Sequence, residues 1–337
     1  MIYLIPRIEA ETILEPLNMG SSRPIMVRCD DNKTYILKKE RGFLGDGIKD
    51  FNCSFLNESL GFFIGDYLDI PVPKIAAVNI DSYIYKQYPE LMFKSGFIPG
   101  LYFGCEEIKP LHNNILENYQ ELIRNNKPYT KRSWNNVFKS IINKDDIAKI
   151  IAFDFLINNC DRYNNIGNII IQETVTGKKI FAIDHGHAFT GPIWYNNNLQ
   201  SIILTQQNHI EKINQSIDSR IIFNRNRNGL INVNGLGQIF NALQMQLDLE
   251  DLANHPFKDV IFKIENITED NLDYWLNNIP NEWYKNKEIQ INYYKSLVLN
   301  RKIFVRSFIQ ELYNRNAFTN SVGGGTLSWR ESQYGTV

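Results

Sequence analysis

Two aspartates, one in Asn159–Cys160–Asp161–Arg162 and one in Ile183–Asp184–His185–Gly186, constrain this chain more than any other feature. Residues 154–171 read DFLINNCDRYNNIGNIII, and residues 180–187 read IFAIDHGH. The spacing of Ile147, Ile150, Ile151, Asp154 and Phe155 predicts an amphipathic helix over 145–159. An Asn-rich loop at 160–168 follows it. Two short aliphatic runs, 169–172 and 179–183, flank the turn Thr176–Gly177 and predict a hairpin. Asp161 and Asn168 then sit at the mouth of the first strand, and Asp184 sits at the end of the second. Two carboxylates and an amide at one end of a hairpin are hard oxygen donors of the kind Mg²⁺ takes. Loops rich in Asp, Asn and Gly also occur as plain turns, so the order of the neighbouring parts carries the argument.

Upstream, 24–29 (PIMVRC) and 34–39 (TYILKK) predict a hairpin around Asp30–Lys33. Residues 53–68 have apolar positions at helical spacing and stop before Pro71 and Pro73. Further strands are predicted at 74–80, 83–88 and 98–104. After Pro110, helices are predicted at 112–126 and 145–159, with a mostly helical remainder from 195. Residues 317–337 carry Gly323–Gly324–Gly325 and are predicted to form a flexible tail. A β-rich first third and a helical remainder give an α+β chain.

Phosphoryl transfer needs a loop over phosphates, a lysine held by a carboxylate, a carboxylate at the attacking hydroxyl and oxygen ligands for Mg²⁺. Gly20–Ser21–Ser22–Arg23 can supply the loop, with an ordinary turn as the competing reading. Lys38, at the end of a β-run, can supply the lysine; a solvated edge charge competes. Glu58, one element later among apolar neighbours, can supply its partner.

At these residues the chain resembles the HipA-like kinases, in particular stand-alone HipA-like kinase domains of bacteria. They are distant relatives of phosphatidylinositol kinases and the actin-fragmin kinase. The matching pieces are Gly20–Pro24, Tyr35–Ile36–Leu37–Lys38, Asn57–Glu58, Leu68–Pro73, Tyr102–Cys105, Asn159–Arg162, Asn168 and Ile183–Gly186. Ile279–Trp283, with Arg301 on a later helix, is a weaker echo of the end of that domain.

The resemblance implies a two-lobed protein-kinase-like fold. Residues 1–105 would form a β-rich N-lobe, 106–316 a mostly helical C-lobe and 317–337 a tail. It implies ATP and Mg²⁺ as cofactors, with Asp161 catalytic. Lys38 would meet the α/β-phosphates and pair with Glu58, while Gly20, Ser21 and Ser22 would cover the phosphates. Residues 104–108, including Glu106 and Ile108, would hold adenine through the backbone, and Asp184 would be the main Mg²⁺ ligand. The family places its metal-binding Asn five residues after the catalytic Asp, and that position is Ile166 here. Asn168 is the preferred replacement and Asn165 the second.

A Ser/Thr side chain on a protein is the acceptor that the resemblance implies. A pseudokinase serving as a nucleotide-binding or interaction module, motivated by Ile166, and a lipid kinase are the alternatives. An antitoxin-like protein partner is a further possibility the family raises.

Lys+Arg number 36 against Asp+Glu 37, so global charge gives no case for nucleic acid or an anionic membrane. No apolar run approaches the ~18 residues a spanning helix needs, and the N-terminus lacks a secretory pattern, so a cytoplasmic protein is expected. Four cysteines without a CxxC pair are expected to be reduced thiols. His185 and His187 beside Asp184 have the spacing of a transition-metal site, but the family pattern already accounts for a His there. Trp283, Tyr284, Tyr293 and Tyr294 are expected to pack inside rather than stack on bases.

Overall fold

The computed structural model describes residues 3–17, 23–44, 47–111, 130–159, 161–163, 165–194, 211, 213–219 and 236–331. It is a mixed α+β structure. Strands β1 (Arg7–Pro16), β2 (Ile25–Cys29), β3 (Thr34–Leu37), β6 (Ile75–Ile80) and β7 (Gly100–Glu106) close into a barrel in the order β1-β2-β3-β7-β6. Strands β4 (Arg41–Leu44) and β5 (Gly47–Asp50) form a separate hairpin. In β2 and β3 the alternation is strict: Ile25, Val27 and Cys29, then Tyr35 and Leu37, point inward and are buried. The register Ile25↔Leu37 and Val27↔Tyr35 stacks those residues in one layer.

Helix α1 (Ser54–Tyr67) lies between this barrel and the helical part. It is buried from Ser54 through Gly65, as a helix apolar on most sides must be. Short helices α2 (Ser82–Gln87) and α3 (Pro89–Ser95) cross one side of the barrel. Helix α4 (Thr130–Lys139) precedes α5 (Asp145–Leu156), whose Ile147, Ile150, Ile151, Phe153 and Phe155 are fully buried. The hairpin β8 (Ile169–Thr174) and β9 (Gly177–Ala182) follows. Helices α6 (Gln238–Gln244), α7 (Lys258–Glu265), α8 (Glu269–Asn277) and α9 (Lys287–Asn314) complete the core.

The strand expected at 83–88 is helix α2 instead. Asp81 takes the N-cap position, its side chain accepting the Ile84 N–H at 2.7 Å. The alternation of Tyr83 and Tyr85 imitates a strand, but Tyr83 is exposed and Ile84 is the buried residue. The helix expected at 112–126 lies outside the described residues.

The expected tail is packed over 317–331. Phe318 and Leu327 are buried, Leu249 bridges to Ser321, and the Tyr313 hydroxyl donates to Gly324 O at 3.1 Å. Gly323, Gly324 and Gly325 all have positive φ, so the glycine run makes a tight return rather than a floppy end. Cys29, Cys53 and Cys105 are free, and Trp283, Tyr293 and Tyr294 are core residues, as expected. Among the described residues no helix is long and apolar enough to cross a membrane.

Candidate active site

Lys38 leaves the end of β3, its N–H bonded to Phe103 O at 3.1 Å on the neighbouring β7. Its Nζ lies 2.5 Å from Glu58 Oε1 on α1 and 3.0 Å from Asp184 Oδ1, just beyond β9. Three elements far apart in sequence therefore converge on one ammonium. The Glu58 side chain is 3% exposed and Asp184 is 39% exposed, so the trio has a dry end and an open end.

Burial alone would lower the Lys38 pKa, but the two carboxylates overcome it and hold the amine protonated. Burial likewise pushes the Asp184 carboxyl up, and Lys38 more than offsets it, leaving a value of about 2. The Glu58 carboxyl is pushed up by burial, with Lys38 and the His185 N–H acting against the shift.

The backbone of 184–186 is shaped by α1. Asp184 has φ +61°, an uncommon setting for a residue with a Cβ. The His185 N–H donates to Glu58 Oε2 at 2.9 Å. A Cβ added at Gly186 would come within 2.8 Å of Ser54 Oγ and 3.2 Å of Glu58 Oε1. Gly61, a turn further along α1, faces the His185 side chain so closely that a Cβ there would meet its Cβ at 2.7 Å and its ring Cγ at 2.9 Å. Gly186→Ala is thus expected to cost about 1–3 kcal/mol by overpacking against α1, read as a lower urea midpoint. The His185 ring is kept neutral by burial and by the charges of Arg162 and Lys38, and it sits edge-on to Phe153.

The loop after α5 is organised around a fully buried guanidinium. Arg162 Nε donates to both Asp154 carboxylate oxygens, at 3.1 and 2.9 Å. Its Nη1 donates to Asn168 O and to Ile183 O, the latter at 2.9 Å. The backbone entering β8 is thereby fixed to the backbone leaving β9, where Ile183 N–H also meets Asn168 O at 3.1 Å. Asn168 and Asp184 share that end of the hairpin.

Asp161 Oδ2 accepts from Asn168 Nδ2 at 2.9 Å and from Asn165 Nδ2 at 3.2 Å. The two amides differ in their oxygens. Asn165 Oδ1 accepts the Gly167 N–H at 3.1 Å, while Asn168 Oδ1 is buried with no hydrogen-bond partner. An orphaned buried amide oxygen at the hairpin end that also carries the Asp184 carboxylate fits a hard cation such as Mg²⁺. Among the described residues no cluster of three or more His, Cys, Asp or Glu could hold a metal.

At the other edge of the site, Gly104 of β7 lies where a Cβ would meet Val78 Cγ2 at 2.7 Å and Leu37 Cδ2 at 3.1 Å. The Glu106 N–H is taken by Lys74 O and the Glu107 N–H by Thr34 O. The Glu106 side chain pairs outward with Lys33 at 2.8 Å. Ile108 lies two residues beyond the end of β7, outside any strand or helix. Gly20, Ser21 and Ser22 lie outside the described residues. The connection they belong to joins β1 to β2 and is closed at its base by Leu17 N–H to Pro24 O at 2.9 Å.

Sequence reasoning gave no role to Asn57, which the structure places at the back of this site. Its one signal was its place in Asn57–Glu58, a piece of the resemblance that carried no role for the amide.

Residues 10–233 match the family model described as HipA-like kinase. No curated protein matches the chain. The crystal structure of a Helicobacter pylori proinflammatory kinase, CtkA, aligns over 88% of this chain and 94% of that one, at 13% identity and a TM-score of 0.47. With the family match running through more than half of its length, the chain belongs to the HipA-like kinase family.

Proposed function

We propose that this kinase transfers the γ-phosphate of ATP to a hydroxyl, with a Ser or Thr side chain of a protein as acceptor. The observation that carries the reading is the Lys38–Glu58–Asp184 trio, in which one ammonium touches a buried carboxylate and an open one. The buried acid fixes the lysine in place, and the open acid beside it keeps the ammonium facing the solvent side, where anionic phosphates would meet it.

In this reading residues 1–105 and 106–316 act as two lobes with the site between them. The connection holding Gly20, Ser21 and Ser22 covers the phosphates. The carbonyl of Glu106 and the N–H of Ile108 bracket adenine. Asp184 and Asn168 hold Mg²⁺, which when bound neutralises charge on the β- and γ-phosphates. Glu58 fixes Lys38 toward the α/β-phosphates. Asp161, its carboxylate oriented by the Asn168 and Asn165 amides, aligns the acceptor hydroxyl and takes its proton. Arg162, fully buried, organises the loop and does not meet substrate.

Asn168 thus takes the place that Ile166 cannot fill. Asn168→Ala is expected to lower Mg²⁺-dependent transfer from γ-labelled ATP by at least about 100-fold, because it removes a metal donor and an Asp161 contact together. Asn165→Ala removes a weaker Asp161 contact and is expected to be milder. The reverse order of severity would show that the metal side of the loop is misassigned.

A further inference from the structure

We propose that Asn57 is a positioning residue for the metal-binding carboxylate, acting through the backbone that follows Asp184. The proposal rests on the reading of Asp184 as the Mg²⁺ ligand.

Asn57 is fully buried on α1, one residue before Glu58. Its Nδ2 lies 2.9 Å from Gly186 O, 3.0 Å from Gly191 O and 3.3 Å from Ala188 O. Its Oδ1 accepts the Tyr294 hydroxyl of α9 at 2.6 Å. One amide therefore gathers three carbonyls of a single loop and is itself held by α9, the longest of the described helices.

The loop is built to present those carbonyls. The Ala188 N–H bonds His185 O at 2.9 Å and the Gly191 N–H bonds Ala188 O at 3.0 Å, two successive tight turns. Asp184 at φ +61° and Phe189 at φ +59° both sit in the left-handed region. Backbone of this kind persists where surrounding contacts over-determine it.

Neighbouring side chains of α1 hold two nearby peptides of that loop, the one entering His185 and the one leaving Gly186. Glu58 Oε2 takes the His185 N–H and Asn57 Nδ2 donates to Gly186 O. The close approach is possible because Gly186 has no Cβ. Any shift of α1 that withdraws Glu58 from Lys38 also pulls the chain that carries Asp184. The lysine pair and the metal carboxylate move as one body, tied through Tyr294 to α9.

A buried amide with a merely structural role would, when removed, reduce the folded fraction and leave the metal response of the folded protein unchanged. A positioning amide changes that response. The probe is the non-hydrolysable analogue β,γ-imido-ATP, its binding followed calorimetrically across a Mg²⁺ titration in wild type, Asn57→Ala and Tyr294→Phe, with Asp184→Asn as reference.

The half-saturating Mg²⁺ concentration is expected to rise at least about tenfold in Asn57→Ala, the size typical of losing a group that orients a metal ligand. A smaller rise is expected in Tyr294→Phe, while metal-free nucleotide affinity stays at the wild-type value in both. If Asn57→Ala does not fold by circular dichroism, Tyr294→Phe, which lacks a single hydroxyl, decides. An unchanged Mg²⁺ midpoint in the folded variants, beside a normal wild type and a weakened Asp184→Asn, overturns the role of Asn57 alone. A wild type that binds the analogue without any Mg²⁺ dependence overturns the phosphotransfer reading itself, and this proposal with it.

Discussion

Replacing Lys38 with methionine is expected to reduce phosphotransfer by about 10²–10³-fold, the range for removing one preorganised charge-stabilising donor. The same change should destabilise the free protein by about 3–5 kcal/mol, because it leaves a buried acid without its partner. Glu58 is the acid in question: it is 3% exposed and already pushed toward protonation by burial. The sign of the pH dependence follows. Without Lys38 the folded-state pKa of Glu58 stands further above its unfolded value, so ionising it opposes folding. The stability deficit of the variant should therefore shrink as pH falls, measured by urea denaturation at mildly acidic and mildly alkaline pH. Adding Glu58→Gln to Lys38→Met should recover most of the stability and none of the activity. Recovery of activity would show that the lysine pairs for structure and does not serve chemistry.

The second large effect lies at Arg162. Arg162→Met is expected to cost about 3–5 kcal/mol, since it takes the guanidinium away from the Asp154 carboxylate where neither side chain has any exposure. It also removes the two Nη1 bonds that tie Asn168 O to Ile183 O. Turnover should fall even where the variant remains folded, because the end of the β8–β9 hairpin that carries Asn168 and Asp184 loses its cross-brace. Pairing the change with Asp154→Leu should restore part of the stability, since a buried ion pair exchanged for apolar packing is often near neutral. Activity should stay low in the double variant. The comparison separates the fold's need for a neutral core from the site's need for a guanidinium.

Much of this was legible in the sequence where local pattern and tertiary role agree. The β2–β3 hairpin follows from strict alternation around a polar turn, and α1 and α5 follow from apolar spacing and their stops. The neighbourhood of Asp161, Asn168 and Asp184 followed from strand-mouth positions, and the structure brings all three to one end of the β8–β9 hairpin. Strand β1 was harder to see because register shifts at Ala10/Thr12 and Ile13/Glu15 break its alternation. Helix α2 was read as strand because its cap, Asp81, acts through one hydrogen bond that periodicity does not register. The segment 317–331 looked like a tail because its buried residues, Phe318 and Leu327, are too far apart to show a period, and its order comes from contacts with distant elements. The resemblance included Asn57 beside Glu58, but its role was not legible, because its partners lie between about 130 and 240 residues away.

The central claim is that Asp161 aligns a hydroxyl for γ-phosphate transfer, and the most direct test compares the purified protein with Asp161→Ala in γ-labelled ATP and Mg²⁺. The account predicts label on a Ser or Thr of an acceptor protein, or of the chain itself, with wild type, and a loss of about 10²–10⁴-fold in the variant while nucleotide binding persists. Equal labelling by the two proteins would contradict it.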